Sequence, residues 1–266
     1  MRLRAAAPPL LALLVALAPR AAPAAPGAGG PDRTLAVAAA ANLKPALEHL
    51  IEGFVASHHG VEVRASYGAS GTFAAQLRNG APYDLFLSAD AGLPARLAAD
   101  GLADGAPFTY ALGTLVLWVP NGSPLDLGKA GLAALADPAV RKVAIANPAL
   151  APYGAASVEA LRSAGLEAAV RRKLVRGQSV AQAAQFALSG NVQAALLPLS
   201  LAQAPPLSGA GRHLVVPPAS HRPIEQAGLV LAASREKALA RSFARWLLGP
   251  PGREVLARSG YALPPR

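Results

Sequence analysis

From Leu35 onward, short apolar runs alternate with amphipathic stretches, and that alternation restricts the chain to few architectures. Residues 35–39, 61–67, 84–88, 114–119, 142–146, 194–197 and 229–233 have the length and composition of buried strands. Between them Leu47, Leu50, Ile51 and Phe54 recur at helical spacing, as do Leu239, Phe243, Trp246 and Leu247. The pattern predicts an α/β fold of mostly parallel sheets flanked by helices. Pro45 suits a first helical turn, and Gly60, Gly80 and Gly260 suit helix ends.

Two features predict two lobes. The longest apolar stretch, 112–120, lies mid-chain, and a second, 227–233, follows a turn-rich segment containing Pro217, Pro218 and Pro223. Read as the two crossings of a hinge, they place lobe I at 33–113 plus 226–266 and lobe II at 114–225. A ligand cleft is then expected between the lobes, where α/β sheets present the carboxyl ends of their strands.

The first 24 residues read as a secretory signal. Arg2 and Arg4 precede the apolar stretch 10–17, and Ala22-Pro23-Ala24 supplies a small-x-small end. The apolar stretch is well short of the roughly 20 residues of a spanning helix. Residues 25–33 are Pro-, Gly- and Ala-rich, as expected of a floppy mature N-terminus. The expected location is therefore the periplasm, and the absence of cysteine is compatible with it, because a core of this size requires no disulfide.

With 53% hydrophobic and 15% charged residues the chain is not of disordered type. Its net charge of +10 includes Arg2, Arg4 and Arg20 of the signal, leaving +7. Basic residues are scattered rather than interleaved with aromatics, so nucleic acid is not an expected partner. The dense cluster Arg171, Arg172, Lys173 and Arg176 reads as a solvated helix end.

Small and polar residues stand where strands hand over to helices. Ala39-Ala40-Ala41-Asn42, Tyr67-Gly68-Ala69-Ser70-Gly71-Thr72, the segment 147–154 and Gln178-Ser179-Val180 each precede an amphipathic stretch. Four helix N-termini converging on one cleft would offer unpaired N–H groups and partial positive charge to an anion without a lysine or arginine. Singly, Asn42, Ser70 and Ser179 are also ordinary N-caps of any α/β protein.

The wording of these segments resembles the molybdate-binding periplasmic proteins of the type II binding-protein fold. The resemblance runs through AAAANL at 38–43, YGASGT at 67–72, NGAPYDLFLSAD at 79–90, NPALAPYG at 147–154 and the ending Gly260-Tyr261-Ala262-Leu263-Pro264. It implies a monomeric binding protein that captures molybdate or tungstate and passes it to an ABC-transporter permease in the inner membrane, with no cofactor. By motif it assigns the ion to Ala41, to Asn42 through its N–H and side-chain amide, to Ser70 through hydroxyl and N–H, and to the backbones of Tyr153 and Val180. Ala41 stands where related chains often carry a hydroxyl, and Pro198 where another branch carries a tyrosine.

Asp84 and Asp90 are expected to cap or pair at the lobe edge, since a bare carboxylate repels a dianion. His58 and His59 are expected to be solvated, and His49, His213 and His221 form no constellation, so no metal site is expected. Gly68-Ala69-Ser70-Gly71-Thr72 lacks the second glycine of a nucleophile elbow, and neither a phosphate loop nor HExxH occurs. The rival readings are a binding protein for sulfate, thiosulfate or ferric ion, and an enzyme on the same fold.

Overall fold

The computed structural model describes residues 33–265. The expected signal at 1–24 and nearly all of the expected floppy segment lie outside the described residues. Ten strands form two five-stranded sheets. Strands β1 (Arg33–Ala40), β2 (Val61–Gly68), β3 (Leu85–Ser88) and β4 (Phe108–Gly113) belong to the first; β5 (Leu115–Pro120), β6 (Val143–Ala146), β7 (Leu174–Gly177), β8 (Ala194–Pro198) and β9 (Gly211–Val215) to the second. The last strand, β10 (Ile224–Val230), returns to the first sheet. The orders are β2-β1-β3-β10-β4 and β7-β6-β8-β5-β9.

Each sheet is sandwiched, and the alternation of side chains shows it. Leu35, Val37 and Ala39 of β1 pack with Phe54 and Phe243 on one face, while Ala38 packs with Phe73 and Phe86 on the other. In β5, Leu115, Leu117 and Val119 join one core, and Val116 and Trp118 another. Strands buried on both faces need continuous apolar sequence, which is why these runs stand out. The helices bury their periodic faces as expected: Leu47, Leu50 and Phe54 from Lys44–Ala56, and Leu239, Phe243 and Leu247 from Lys237–Leu248. Gly60, Gly80 and Gly260 take positive φ after their helices.

The expectation of mostly parallel sheets requires correction in its pairing. In each sheet two of the four pairings are parallel and two antiparallel. The cause is the crossing: β10, reached from the second sheet, runs against both its neighbours in the first, as β5, reached from the first, does in the second. A strand that crosses from one sheet to another carries no helix of its own to turn it parallel.

The apolar stretch 112–120 is likewise two strands. It breaks at Thr114, with β4 ending in one sheet and β5 beginning in the other. The chain crosses there and again in 216–223, between β9 and β10. Strands β4, β7 and β9 had no counterpart among the expected runs. All three lie at sheet edges, where one neighbour is missing and polar residues such as Thr109, Arg176 and Arg212 are tolerated.

Candidate functional site

Ala41, Asn42, Ser70, Tyr153 and Val180 line one small cavity, together with Ala40, Gly68, Ala69, Ala89, Ala151 and Pro152. They arrive from four helix starts. Ala41 and Asn42 open a 3-10 turn that runs into Lys44–Ala56; Ser70 is first in Ser70–Arg78; Pro152 and Tyr153 begin Pro152–Ser163; Val180 begins Val180–Leu188. The first two starts follow β1 and β2 and the last two follow β6 and β7, so parallel strands of both sheets deliver their helices to the same place. Pro198, at the end of β8, is not among the lining residues.

No lining residue is charged. The first-turn N–H groups of a helix have no intrahelical partner and carry partial positive charge, so four such starts make a donor-rich, acceptor-poor wall. The cavity is narrow, about 10 Å3.

The Ser70 side chain is 1% exposed, and its Oγ accepts from the N–H of Ala89 at 3.0 Å. With one lone pair so engaged, the hydroxyl keeps its proton to donate. Asn42 is otherwise disposed than the motif implied. Its Nδ2 donates to Gln226 Oε1 at 2.9 Å and to the Tyr261 hydroxyl at 2.8 Å, which occupies both amide protons. Its carbonyl accepts from Tyr261 Oη at 2.9 Å and from Ser200 Oγ at 2.9 Å. Of the Asn42 donors only the backbone N–H is left for the cavity; the side chain ties the cavity wall to β10 and to the C-terminal segment, and the carbonyl ties it to the helix after β8. A buried amide keeps such partners because losing one leaves the other unsatisfied.

Burial pushes the Tyr153 and Tyr261 hydroxyls well above the usual tyrosine range, so both are neutral donors at neutral pH. The Tyr153 ring is buried, with its hydroxyl lying against Gly113.

Charge gathers in a neighbouring cleft of about 220 Å3, which shares Ala89 and Pro152 with the cavity and is lined by Asp90, Glu159, Arg222 and Glu225. There the Arg222 N–H donates to Glu159 Oε2 at 2.9 Å and its Nε to Oε1 at 2.8 Å. The guanidinium holds the Glu159 carboxyl below the ordinary carboxylate range, and the pair presents little net charge to the cavity.

Asp84 accepts from Ala36 N–H at 2.8 Å and from Ser234 Oγ at 2.6 Å; Asp90 accepts from Leu93 N–H at 3.1 Å. Both are structural, as expected. His58 departs from expectation: it is half-buried, stacked on Phe54 at 3.9 Å, with Nδ1 2.9 Å from the Phe54 carbonyl. Among the described residues no group of histidine, aspartate and glutamate could hold a metal ion. Of Gln226, Tyr261 and Ser200, which hold Asn42, Tyr261 lies in the C-terminal segment already singled out and Gln226 is a polar residue inside an apolar strand, while Ser200 carries no local signal.

Comparison with known proteins places the chain among binding proteins. The family model described as "Bacterial extracellular solute-binding protein" matches residues 35–262. The molybdate-binding protein ModA of Azotobacter vinelandii is 37% identical over 228 residues, 85% of this chain and 89% of that protein. ModA of Rhodobacter capsulatus is 36% identical over 239 residues, 90% of each. The solved structure of the Azotobacter vinelandii periplasmic molybdate-binding protein aligns with a TM-score of 0.80 at 35% identity, covering 87% of this chain and 100% of that one.

Proposed function

The chain belongs to the bacterial extracellular solute-binding protein family, and from that premise we propose that it captures molybdate, and tungstate with it, for delivery to an ABC-transporter permease. The observation that carries the reading is the cavity: four helix starts from two sheets, eleven lining residues, and no charged side chain among them. A wall that only donates suits a fully deprotonated tetrahedral dianion. Phosphate, which often carries a proton, would bring a donor with no acceptor to meet it.

We assign the ion to the N–H groups of Ala41, Asn42, Tyr153 and Val180 and to the N–H and hydroxyl of Ser70. Hydrogen bonds to a charged partner contribute roughly 1.5–3 kcal/mol each, so several of them, less the cost of closing the cleft, suffice for the ~8 kcal/mol of a micromolar complex. Molybdate and tungstate have nearly the same size and charge, and the same wall serves both.

The delivery geometry follows from the two sheets. We place lobe I at 33–113 plus 226–266 and lobe II at 114–225, hinged where the chain crosses beside Thr114 and again in 216–223, and closing as a monomer over the ion. Residues 1–24 act as the signal that directs the protein to the periplasm.

Thermal shift with molybdate, tungstate, sulfate, phosphate and ferric citrate tests this. Molybdate and tungstate are expected to raise the melting temperature most. No shift with either, together with a clear shift from another ligand, rejects the reading.

A further inference from the structure

The amide of Gly71 donates to the carbonyl of Leu150 at 2.9 Å. The bond joins helix Ser70–Arg78, packed on the first sheet, to the loop ahead of helix Pro152–Ser163, packed on the second. It runs beside the cavity, since Ser70 precedes Gly71 and the lining residue Ala151 follows Leu150.

Both partners are firmly mounted. The N–H groups of Leu150 and Ala151 donate to Asn147 O at 3.1 and 2.9 Å, Asn147 Oδ1 accepts from Ala149 N–H at 3.1 Å, and Asn147 N–H donates to Gly177 O at 2.7 Å. On the other side Ser70 is pinned through its oxygen to Ala89. A Cβ on Gly71 would lie 2.9 Å from the Leu150 oxygen and 3.3 Å from its Cα. The obstruction is backbone, which cannot rotate out of the way as a flexible side chain can.

We infer that Gly71 is a specificity-determining residue: its backbone contact with Leu150 is a stop that sets how closely the two walls of the oxyanion cavity approach, and so the smallest ion they grip well. The inference rests on the reading of the cavity as a molybdate site. At 2.9 Å the bond is already at its preferred length, and further approach meets steep repulsion between two main chains. Walls halted there cannot follow a smaller ion inward. Sulfur–oxygen bonds are shorter than molybdenum–oxygen bonds, so sulfate leaves stretched hydrogen bonds on at least one wall. Glycine lets the stop lie this close; a methyl group would hold the walls a few tenths of an ångström further apart.

The test is Gly71→Ala in the full chain, with calorimetric titration of molybdate, competition by sulfate, and melting of the ligand-free protein. Alanine is the better helix former, so the ligand-free melting temperature is expected to stay level or rise. Molybdate affinity is expected to fall about ten- to a hundredfold. Sulfate, already loosely held, is expected to lose less, narrowing the ratio between the ions. Undiminished molybdate affinity, or equal loss for both ions, overturns the inference. Hydrogen exchange on the wild-type chain gives a second measure: the Gly71 amide should slow on adding molybdate, and an unchanged rate in a chain that demonstrably binds the ion counts against the stop. A wild-type chain that binds another anion but not molybdate overturns only the functional reading, and Gly71→Ala must then weaken that anion for the stop to stand.

Discussion

The hydroxyl of Tyr153 fills the space where a side chain on Gly113 would begin. A residue that lines the candidate cavity thereby seats its ring at the point where the chain leaves the first sheet for the second. Gly113→Ala is expected to overpack this seat and lower stability by about 1–3 kcal/mol in urea denaturation. Tyr153→Phe removes the obstructing oxygen, so the double variant should recover part of the loss, and strictly additive effects would contradict the contact. Tyr153→Phe alone should leave molybdate affinity within about threefold, because only the backbone of residue 153 is assigned to the ion.

Ser70 contributes differently, through its side chain. Ser70→Ala is expected to weaken molybdate binding by about 1–3 kcal/mol, the worth of a hydrogen bond to a charged partner. Isothermal titration giving the wild-type affinity would remove Ser70 from the site.

Asn42 is predicted to matter first for stability. Asn42→Ala strips partners from Gln226, Tyr261 and the surrounding buried atoms, and is expected to cost about 2–3 kcal/mol of folding stability. Tyr261→Phe should cost about 1–2 kcal/mol, since the Asn42 carbonyl keeps Ser200. Wild-type urea midpoints for both variants would show that the network is not holding the wall.

Stability should fall at alkaline pH. Burial raises the hydroxyls of Tyr110, Tyr153 and Tyr261 above the ordinary range, and burial followed by the nearby Glu48 pushes Tyr67 up to about 12. An unfolded tyrosine titrates near about 10. Below that pH both states hold their protons and stability is complete. Above it the unfolded chain releases protons that the folded chain retains, so stability declines as pH climbs toward the folded values. Tyr261→Phe should flatten the decline in urea titrations above about pH 10, and an unchanged slope would contradict the assignment.

Affinity for the ion should instead be level between about pH 6 and about pH 9. No lining side chain changes charge in that window: the only titratable one, Tyr153, is held neutral by burial. A steep loss of molybdate affinity across the window in calorimetry would point to a titrating cation at the site.

Much of the architecture was legible along the chain because double-sided burial demands unbroken apolar sequence. The runs at β1, β5 and β8 declare themselves, and so do the helix faces carrying Phe54 and Phe243. The edge strands β4, β7 and β9 do not, because an edge accepts polar residues and loses the pattern. The strand-to-helix junctions at Ala41, Asn42, Ser70, Tyr153 and Val180 were legible as well, since small residues, glycine and N-capping types mark them.

By itself, then, the sequence determined which segments become strands and helices and where helix starts offer free N–H groups, for these are local consequences of periodicity and residue type. Tertiary structure alone decided what those starts face. The two amide protons of Asn42 go to Gln226 and Tyr261, 184 and 219 positions away, and the Gly71 amide goes to Leu150 across the cleft. Hydrogen-bond partners at such separations are chosen by how the sheets are brought together, and no periodicity in the chain encodes that choice.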